Sequence, residues 1–295
     1  MKNSSKTNQP EKEWTVQEST ELLKFLFDMM PERSKKSVKG ILSRGQVFIN
    51  GEPTSQFNDA LHPGDRVQIE KRTAKHDAKI RGLKILHEDE DIFVIEKEAG
   101  LLSIASEKEN QMTAYRQLSD YIQNIRPKSR IFVVHRLDRD TSGIMIFAKS
   151  KRIQQKLQNA WQEAVPERSY IALVEGTVKE DGTITSWLTE NKALMVRSSK
   201  NPNHGKKAVT NYKVLKSNSN LSLLQVNLET GRKNQIRVHM QDLKHPIVGD
   251  KKYGSQTNPI KRVGLHAHSI GFIHPTTKEY LRFESKVPAS FTRNF

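Results

Sequence analysis

Apolar residues recur at helical spacing from Ser19 to Met30, where Leu22, Leu23, Leu26, Met29 and Met30 share a face. Ser19 or Thr20 can cap that helix, and Pro31 ends it. A second short helix is predicted over Ser34 to Ser43, with Val38, Ile41 and Leu42 on one face, Lys35, Lys36 and Lys39 largely on another, and Gly45 as its stop. The period then changes. Val47 to Ile49 and Val67 to Ile69 read as strands, separated by turn signals at Asn50-Gly51 and Pro63-Gly64-Asp65. Residues 73–82 have little apolar content, which predicts a linker after a small unit spanning residues 14–72. The larger unit, residues 83–295, mixes both periods. Strands are predicted at Leu83 to Leu86, Ile92 to Ile95, Ile131 to Val134, Ile144 to Ala148, Glu167 to Gly176, Ala208 to Leu215 and Leu221 to Glu229. Amphipathic helices are predicted at Thr113 to Ile125, Arg152 to Trp161 and Asn234 to Asp242. Runs of both kinds in one chain predict an α+β protein.

Between the strands at Ile131 and Ile144 lies a charged knot, in which Asp138 and Asp140 alternate with Arg136 and Arg139, and Thr141, Ser142 and Gly143 have the composition of a tight turn. Neighbouring guanidiniums favour the ionised form of a carboxylate, as a nucleophile or electrostatic anchor requires. Spacing alone favours a charged turn closed by its own ion pairs. An arginine embedded in an apolar stretch, Arg237 between Ile236 and Val238, needs a carboxylate partner, and Asp138 is the obvious one.

Composition narrows the partners. With 49 Lys and Arg against 33 Asp and Glu, the chain carries a formal charge of +16, which favours a polyanion, nucleic acid ahead of an anionic membrane surface. No apolar run is long enough to cross a bilayer as a helix. The absence of cysteine excludes disulfides, thiol catalysis and thiolate zinc sites. The first thirteen residues are polar and lack the apolar core of a secretory signal, so a disordered tail on a cytoplasmic protein is expected. Residues 192–216 hold seven Lys or Arg and no acid, with a break at residues 201–205, and read as an irregular basic insert suited to phosphate or to solvent. His266, His268 and His274 include a ligand-like His-x-His spacing, but no cysteine or carboxylate cluster accompanies it, so no metal is assigned. Tyr121 and Trp161 read as core aromatics on helix faces.

Four motifs in order resemble the RluA family of pseudouridine synthases, over nearly the whole chain. HRLDRDTSG, residues 135–143, is similar to the family's signature loop, ERSYIALVEG to its second motif, GRKNQIRVH to its third and GLHAH to its last. The resemblance implies Asp138 as the catalytic residue, Tyr170 as the aromatic that stacks on the target uracil and assists proton removal, and Arg237 as the partner of Asp138. Read alone, Tyr170 would be a cross-strand packing residue. The resemblance also implies substrate contacts from His135, Arg136 and Leu265, with Arg136 filling the space left by a flipped base. One departure is Asn234, where the family usually has histidine.

Trp14 to about Arg72 resembles the S4-type RNA-binding domain, through a basic helix followed by Gly45-Gln46-Val47-Phe48-Ile49-Asn50-Gly51. Lys35, Lys36, Lys39 and Arg44 are the implied RNA contacts, although any single lysine there also reads as part of a solvated face. Together the resemblances imply a small S4-type domain joined to a catalytic domain on a mixed, mainly antiparallel sheet. The expected protein is a monomeric, cofactor-free RNA pseudouridine synthase that binds no membrane. Large-subunit ribosomal RNA is its first expected substrate and transfer RNA the second. A degenerate RNA-binding module and a nucleoside N-glycosidase are the competing readings.

Overall fold

The computed structural model describes residues 12–43, 46–54, 56–69, 80–105, 113–126, 128–293 and 295. The chain divides into two units: Met1–Ile80 with Leu118–Arg130, and Arg81–Gln117 with Ile131–Phe295.

In the first unit the elements are β1 (Lys12–Thr15), β2 (Thr20–Glu21), α1 (Leu22–Met29), α2 (Lys35–Ser43), β3 (Val47–Ile49), β4 (Glu52–Thr54), β5 (Ala60–Leu61) and β6 (Arg66–Ile69). A four-stranded antiparallel sheet in the order β1-β6-β3-β4 faces the two helices across one core. Leu22, Leu26, Met30, Val38 and Leu42 are fully enclosed there. Each such side chain contributes about 1.5–3 kcal/mol of transfer free energy, which makes two short helices viable that would be marginal alone. Lys35, Lys36 and Lys39 are exposed on α2. Arg44 lies outside the described residues, as does most of the expected linker.

Two expectations need correction here. Strand β1 begins at Lys12, inside the stretch expected to be tail, because its residues pair with β6 from Lys12↔Ile69 to Thr15↔Arg66. Helix α1 starts three residues later than its periodicity predicts, since Thr20 and Glu21 pair with β5, and no side chain caps it at Glu21.

The second unit carries β7 (Leu83–Glu88), β8 (Ile92–Lys97), α3 (Ala114–Ile125, which passes at Leu118 into the residues of the first unit), β9 (Phe132–Val133), β10 (Ser142–Ala148), α4 (Lys151–Asn159) and α5 (Trp161–Ala164). It continues with β11 (Glu167–Glu175), β12 (Gly182–Glu190), β13 (Val196–Ser199), β14 (Lys206–Ser217), β15 (Leu221–Leu228), α6 (Gln235–Asp242), β16 (Leu265–Ile273), β17 (Tyr280–Glu284) and α7 (Ala289–Thr292). Eleven strands of the described residues form one mixed sheet, ordered β13-β12-β14-β15-β11-β16-β10-β8-β7, with β9 beside β10 and β17 beside β16. Among the described residues β10 and β16 make the parallel pairing and the other ladders of this sheet are antiparallel. All seven residues of β10 are buried, as its unbroken apolar composition requires of a strand covered on both faces. Ile144, Ile146 and Ala148 pack with Ile153 and Leu157 of α4, whose N-terminus is capped by Ser150 Oγ accepting from Ile153 N at 3.2 Å.

Ser142 and Gly143, expected as turn residues, open β10 instead. Gly143 has φ +114°, and a Cβ there would stand 2.1 Å from the Ala267 carbonyl oxygen of β16. Only glycine lets the two strands approach so closely. The basic stretch 192–216 is more regular than its composition predicts. Val196–Ser199 pairs with β12, and β14 starts at Lys206, so the irregular parts are residues 192–195 and the polar turn between these two strands.

Candidate active site

The signature loop is held at alternate residues. His135 Nε2 accepts from the Ile146 backbone N–H of β10 at 3.0 Å, which fixes the ring as the Nδ1–H tautomer, and its ring lies 5.0 Å from that of Trp161. Leu137 is tied at both backbone groups by Ser103 Oγ, which donates to Leu137 O at 2.7 Å and accepts from Leu137 N at 3.2 Å. The Arg139 carbonyl accepts from Lys97 Nζ at 3.0 Å and from Gly100 N at 2.9 Å. With residues 135, 137 and 139 anchored into the protein, Arg136 and Asp138 are left to face a cavity of about 490 Å³, within the usual range for small-ligand pockets.

Lys97 is the least expected of these anchors. It closes an apolar strand, is wholly buried, and donates to three backbone carbonyls, those of Glu98, Leu101 and Arg139. Burial pulls its ammonium down to about 8. The three carbonyl dipoles take the place of water around the charge.

Opposite the loop stands α6. Its residues Gln235, Ile236, Val238, His239 and Met240 are buried, and the polar ones are fully engaged. Gln235 Nε2 donates to Val209 O at 3.0 Å and Thr210 Oγ1 at 2.9 Å. His239 lies between Thr210 Oγ1 and Ser186 Oγ, each at 2.8 Å. These contacts lock the helix to β12 and β14, and Ile236 and Arg237 are among its residues that line the cavity.

Arg237 Nη1 donates to Asp138 Oδ2 at 3.0 Å, joining residues 99 positions apart. The same guanidinium makes a two-bond fork with Asp250, Nε to Oδ2 at 2.6 Å and Nη2 to Oδ1 at 2.8 Å, and stacks over the Tyr253 ring at 4.8 Å. Burial opposes the charge on Arg237, but the Asp250 carboxylate first and Asp138 after it push its proton affinity above the ordinary arginine value. Arg139, inside the knot, pairs with its neighbour Asp140. The guanidinium that serves Asp138 thus comes from α6 and not from the knot's own arginines.

Asn234 completes the contact. It caps α6 in the left-handed conformation, φ 53°, which asparagine tolerates well. Its amide lies against both Asp138 and Tyr253. With Nδ2 toward the carboxylate it donates to Asp138 Oδ2 at 2.7 Å while Oδ1 accepts from the Tyr253 hydroxyl at 2.8 Å. That orientation satisfies all three groups, whereas the reverse would set an amide oxygen against a carboxylate.

Tyr170 lines the same cavity from β11, where the β16 ladder slips between Ser169 and Tyr170. Such a bulge re-aims side chains beside it. Burial raises the Tyr170 phenol to about 12, with nearby Arg168 opposing and Asp138 reinforcing the rise. Leu265, Arg136 and His135 also line the cavity, so all six residues expected at the site in this unit converge there. Burial drives His135 down to about 4, and Arg168 assists, so the ring is a neutral brace at ordinary pH. Trp161 is half-buried against the core under α4, as expected of a core aromatic, yet it too lines the cavity. The three histidines near the C-terminus hold local structure: His266 bonds Ser142 Oγ at 2.8 Å, His268 the Ser285 carbonyl at 2.7 Å, and His274 accepts from Thr277 N at 3.0 Å.

Residues 91–242 match the model of the RNA pseudouridylate synthase family. An RNA pseudouridine synthase of Aquifex aeolicus is 33% identical over 296 residues, covering 93% of this chain and 92% of that one. The chain belongs to the RNA pseudouridylate synthase family. It is therefore an isomerase that acts on RNA, of the RluA type. A ribosomal large subunit pseudouridine synthase D of Neisseria meningitidis serogroup B is 30% identical over 89% of this chain and 74% of its own length. Among solved structures, the human RNA pseudouridylate synthase domain containing 4 overlays with a TM-score of 0.58 at 23% identity, over 70% of this chain and 90% of that one, and so shares the fold. The mixed α+β architecture with its large sheet is the pseudouridine synthase fold.

Asp250, Tyr253, Lys97 and Ser103 were not legible as site residues. A signal existed for one of them: a buried arginine must be balanced, and Asp250 lies 13 residues beyond Arg237. Nothing in the sequence signals that Ser103 or Lys97 would hold the Asp138 loop.

Proposed function

We propose that this synthase isomerises uridines in large-subunit ribosomal RNA, with Asp138 as the catalytic carboxylate. The observation that carries the reading is the chain of contacts from Asp250 through Arg237 to Asp138, at a cavity also lined by Tyr170 and Leu265. The target base leaves its stack and enters this cavity, with Arg136, exposed at the rim, taking its place in the RNA. Asp138 attacks C1′ of the ribose, or stabilises positive charge there, as the bond from C1′ to N1 breaks. The freed uracil rotates against Tyr170 and Leu265, which hold it away from water. C5 bonds to C1′, displacing the Asp138 carboxylate where it has bonded there, the C5 proton departs with help from Tyr170, and N1 ends protonated. Arg237 and Asn234 keep Asp138 oriented and anionic throughout. His135 contributes by bracing the loop. One chain supplies every one of these groups, which supports action as a monomer.

For the ribosomal target the support is the resemblance to ribosomal large subunit synthases D of Neisseria and Haemophilus, at 30–31% identity. We assign the first unit as an S4-type RNA-binding domain, on the strength of its basic helix and the hairpin that follows, and place the protein in the cytoplasm. Lys35, Lys36 and Lys39 would contact RNA phosphates, with Arg44 as the fourth implied contact.

Comparing pseudouridine maps of cellular RNA with and without the gene tests the reading. Loss of sites in large-subunit ribosomal RNA is expected. Loss in transfer RNA alone moves the target, and release of free uracil from incubated RNA replaces the isomerase with a glycosidase. For the first unit, changing Lys35, Lys36 and Lys39 together to Gln should flatten the salt dependence of RNA binding by about 2 in slope on single strands. An unchanged slope removes that helix from the RNA interface.

A further inference from the structure

Arg168 stands on β11 two residues before Tyr170, on the same face of the strand, and lines the same cavity. It also lines a second cavity, of about 400 Å³, formed between residues 158–163 and the loop Thr230–Arg232. The guanidinium therefore stands on the boundary between the two spaces.

Its charge is poorly balanced. Nη2 donates to the carbonyls of Leu228 and Glu229, both at 3.0 Å, and the Trp161 ring lies 6.0 Å away. Nε is buried, and among the described residues it has no hydrogen-bond partner and no carboxylate pairs with the group. Arg237, Arg282 and Arg139 each have an acidic partner. Arg262 also lacks one among the described residues, but it spends three hydrogen bonds on neutral oxygens and lines neither cavity. Burial opposes the charge on Arg168 and weakens its hold on the proton. An uncompensated guanidinium in such a place costs folding free energy that a bound anion would return.

The remaining nitrogen is kept clear by a glycine. A Cβ at Gly231 would lie 3.1 Å from Arg168 Nη1, and Gly231 lines both cavities. Arg232, on the walls of both, adds a second positive charge against the single acid of the second cavity, Glu163.

We propose that Arg168 binds the phosphodiester joining the nucleotide in the main cavity to its neighbour, and that the neighbouring nucleotide occupies the second cavity. The proposal rests on the reading above, that the main cavity receives a flipped uridine. A guanidinium with Nη1 unspent suits a phosphate oxygen, and two adjacent nucleotide-sized spaces divided by a cation suit two consecutive residues of one strand. The second cavity then selects the base beside the target.

The test uses the full chain and a ten-nucleotide oligouridylate, with binding followed by fluorescence anisotropy from 50 to 300 mM salt. Arg168→Gln should lower affinity about tenfold and reduce the slope of log K against log salt by about 0.7, the value for one phosphate contact on a single strand. Arg168→Lys should recover the slope. A methylphosphonate scan should reveal one linkage whose neutralisation weakens binding to the wild type and leaves Arg168→Gln unaffected. Thermal unfolding accompanies each variant, and Gly231→Val, which crowds Nη1 with Arg168 still in place, should reproduce the loss if Arg168→Gln does not fold. Equal slopes and equal methylphosphonate profiles in wild type and variants overturn the proposal, as does a slope restored by inorganic phosphate competition alone. Failure to form pseudouridine in any RNA, with the slope difference intact, would instead overturn the reading of the main cavity.

Discussion

Asp250 holds the Arg237 guanidinium through two hydrogen bonds, of 2.6 and 2.8 Å, and so leaves Nη1 to reach Asp138 at 3.0 Å. The fork is almost fully buried on the acid side, where the Asp250 side chain is 1% exposed, whereas Asp138 is 31% exposed. One carboxylate thus fixes the cation, and the other is presented to the cavity by it. With Nε and Nη2 engaged by Asp250, the bond to Asp138 comes from Nη1.

Asp138→Asn should abolish pseudouridine formation, by at least about a thousandfold or ~4 kcal/mol in the barrier, while the protein stays folded and binds RNA. The amide keeps the volume and an oxygen for Arg237 but cannot act as an anionic nucleophile. A folded variant that converts uridine within about tenfold of the parent excludes Asp138 as the catalytic carboxylate, and Asp140 becomes the residue to test.

Asp250→Asn leaves Arg237 buried with half its charge balance gone. Breaking such a pair costs on the order of 3–5 kcal/mol, which in a protein of this size lowers Tm by roughly 10 °C. Activity should fall with stability, because Arg237 loses the partner that orients it. Calorimetry alongside single-turnover kinetics decides this, and an unaltered Tm would show that the fork is dispensable.

Asn234→Gly isolates one amide. Glycine adopts φ 53° without strain, so the cap of α6 persists while the hydrogen bonds to Asp138 and Tyr253 disappear. A loss of about tenfold in kcat with KM nearly unchanged is expected, equivalent to ~1.4 kcal/mol. An unchanged kcat would mean that Arg237 alone positions the carboxylate.

The pH dependence of stability has a defined sign. His135, His239 and His266 are each driven down to about 4, chiefly by burial. A base whose folded pKa lies below its unfolded value of about 6.5 favours folding in its neutral form, so its contribution is complete above 6.5 and lost as pH falls toward 4. Tm should therefore hold level from pH 8 to 6.5 and decline between 6.5 and 4. His239→Gln should make that decline shallower, and an identical pH profile for the variant would remove His239 from the account.

The sequence by itself determined the local elements and the residues that bear the chemistry. Periodicity located α2 and α6 to within a residue, because a buried face must repeat with the helix whatever it packs against. The knot around Asp138 and the apolar run interrupted by Arg237 were visible because charge inside apolar surroundings is anomalous in one dimension as in three. Tertiary structure decided the partnerships. Arg139 stands next to Asp138 in sequence yet pairs with Asp140, and the guanidinium that reaches Asp138 arrives from 99 residues away. Gly143 reads as a turn residue until the Ala267 carbonyl is found 2.1 Å from where its Cβ would be. Lys97 and Ser103 hold the catalytic loop from strand and loop segments whose patterns are ordinary. Hydrophobic pattern constrains each element through its own repeat, whereas hydrogen bonds and ion pairs between elements depend on register and separation, which exist only after the sheet has assembled.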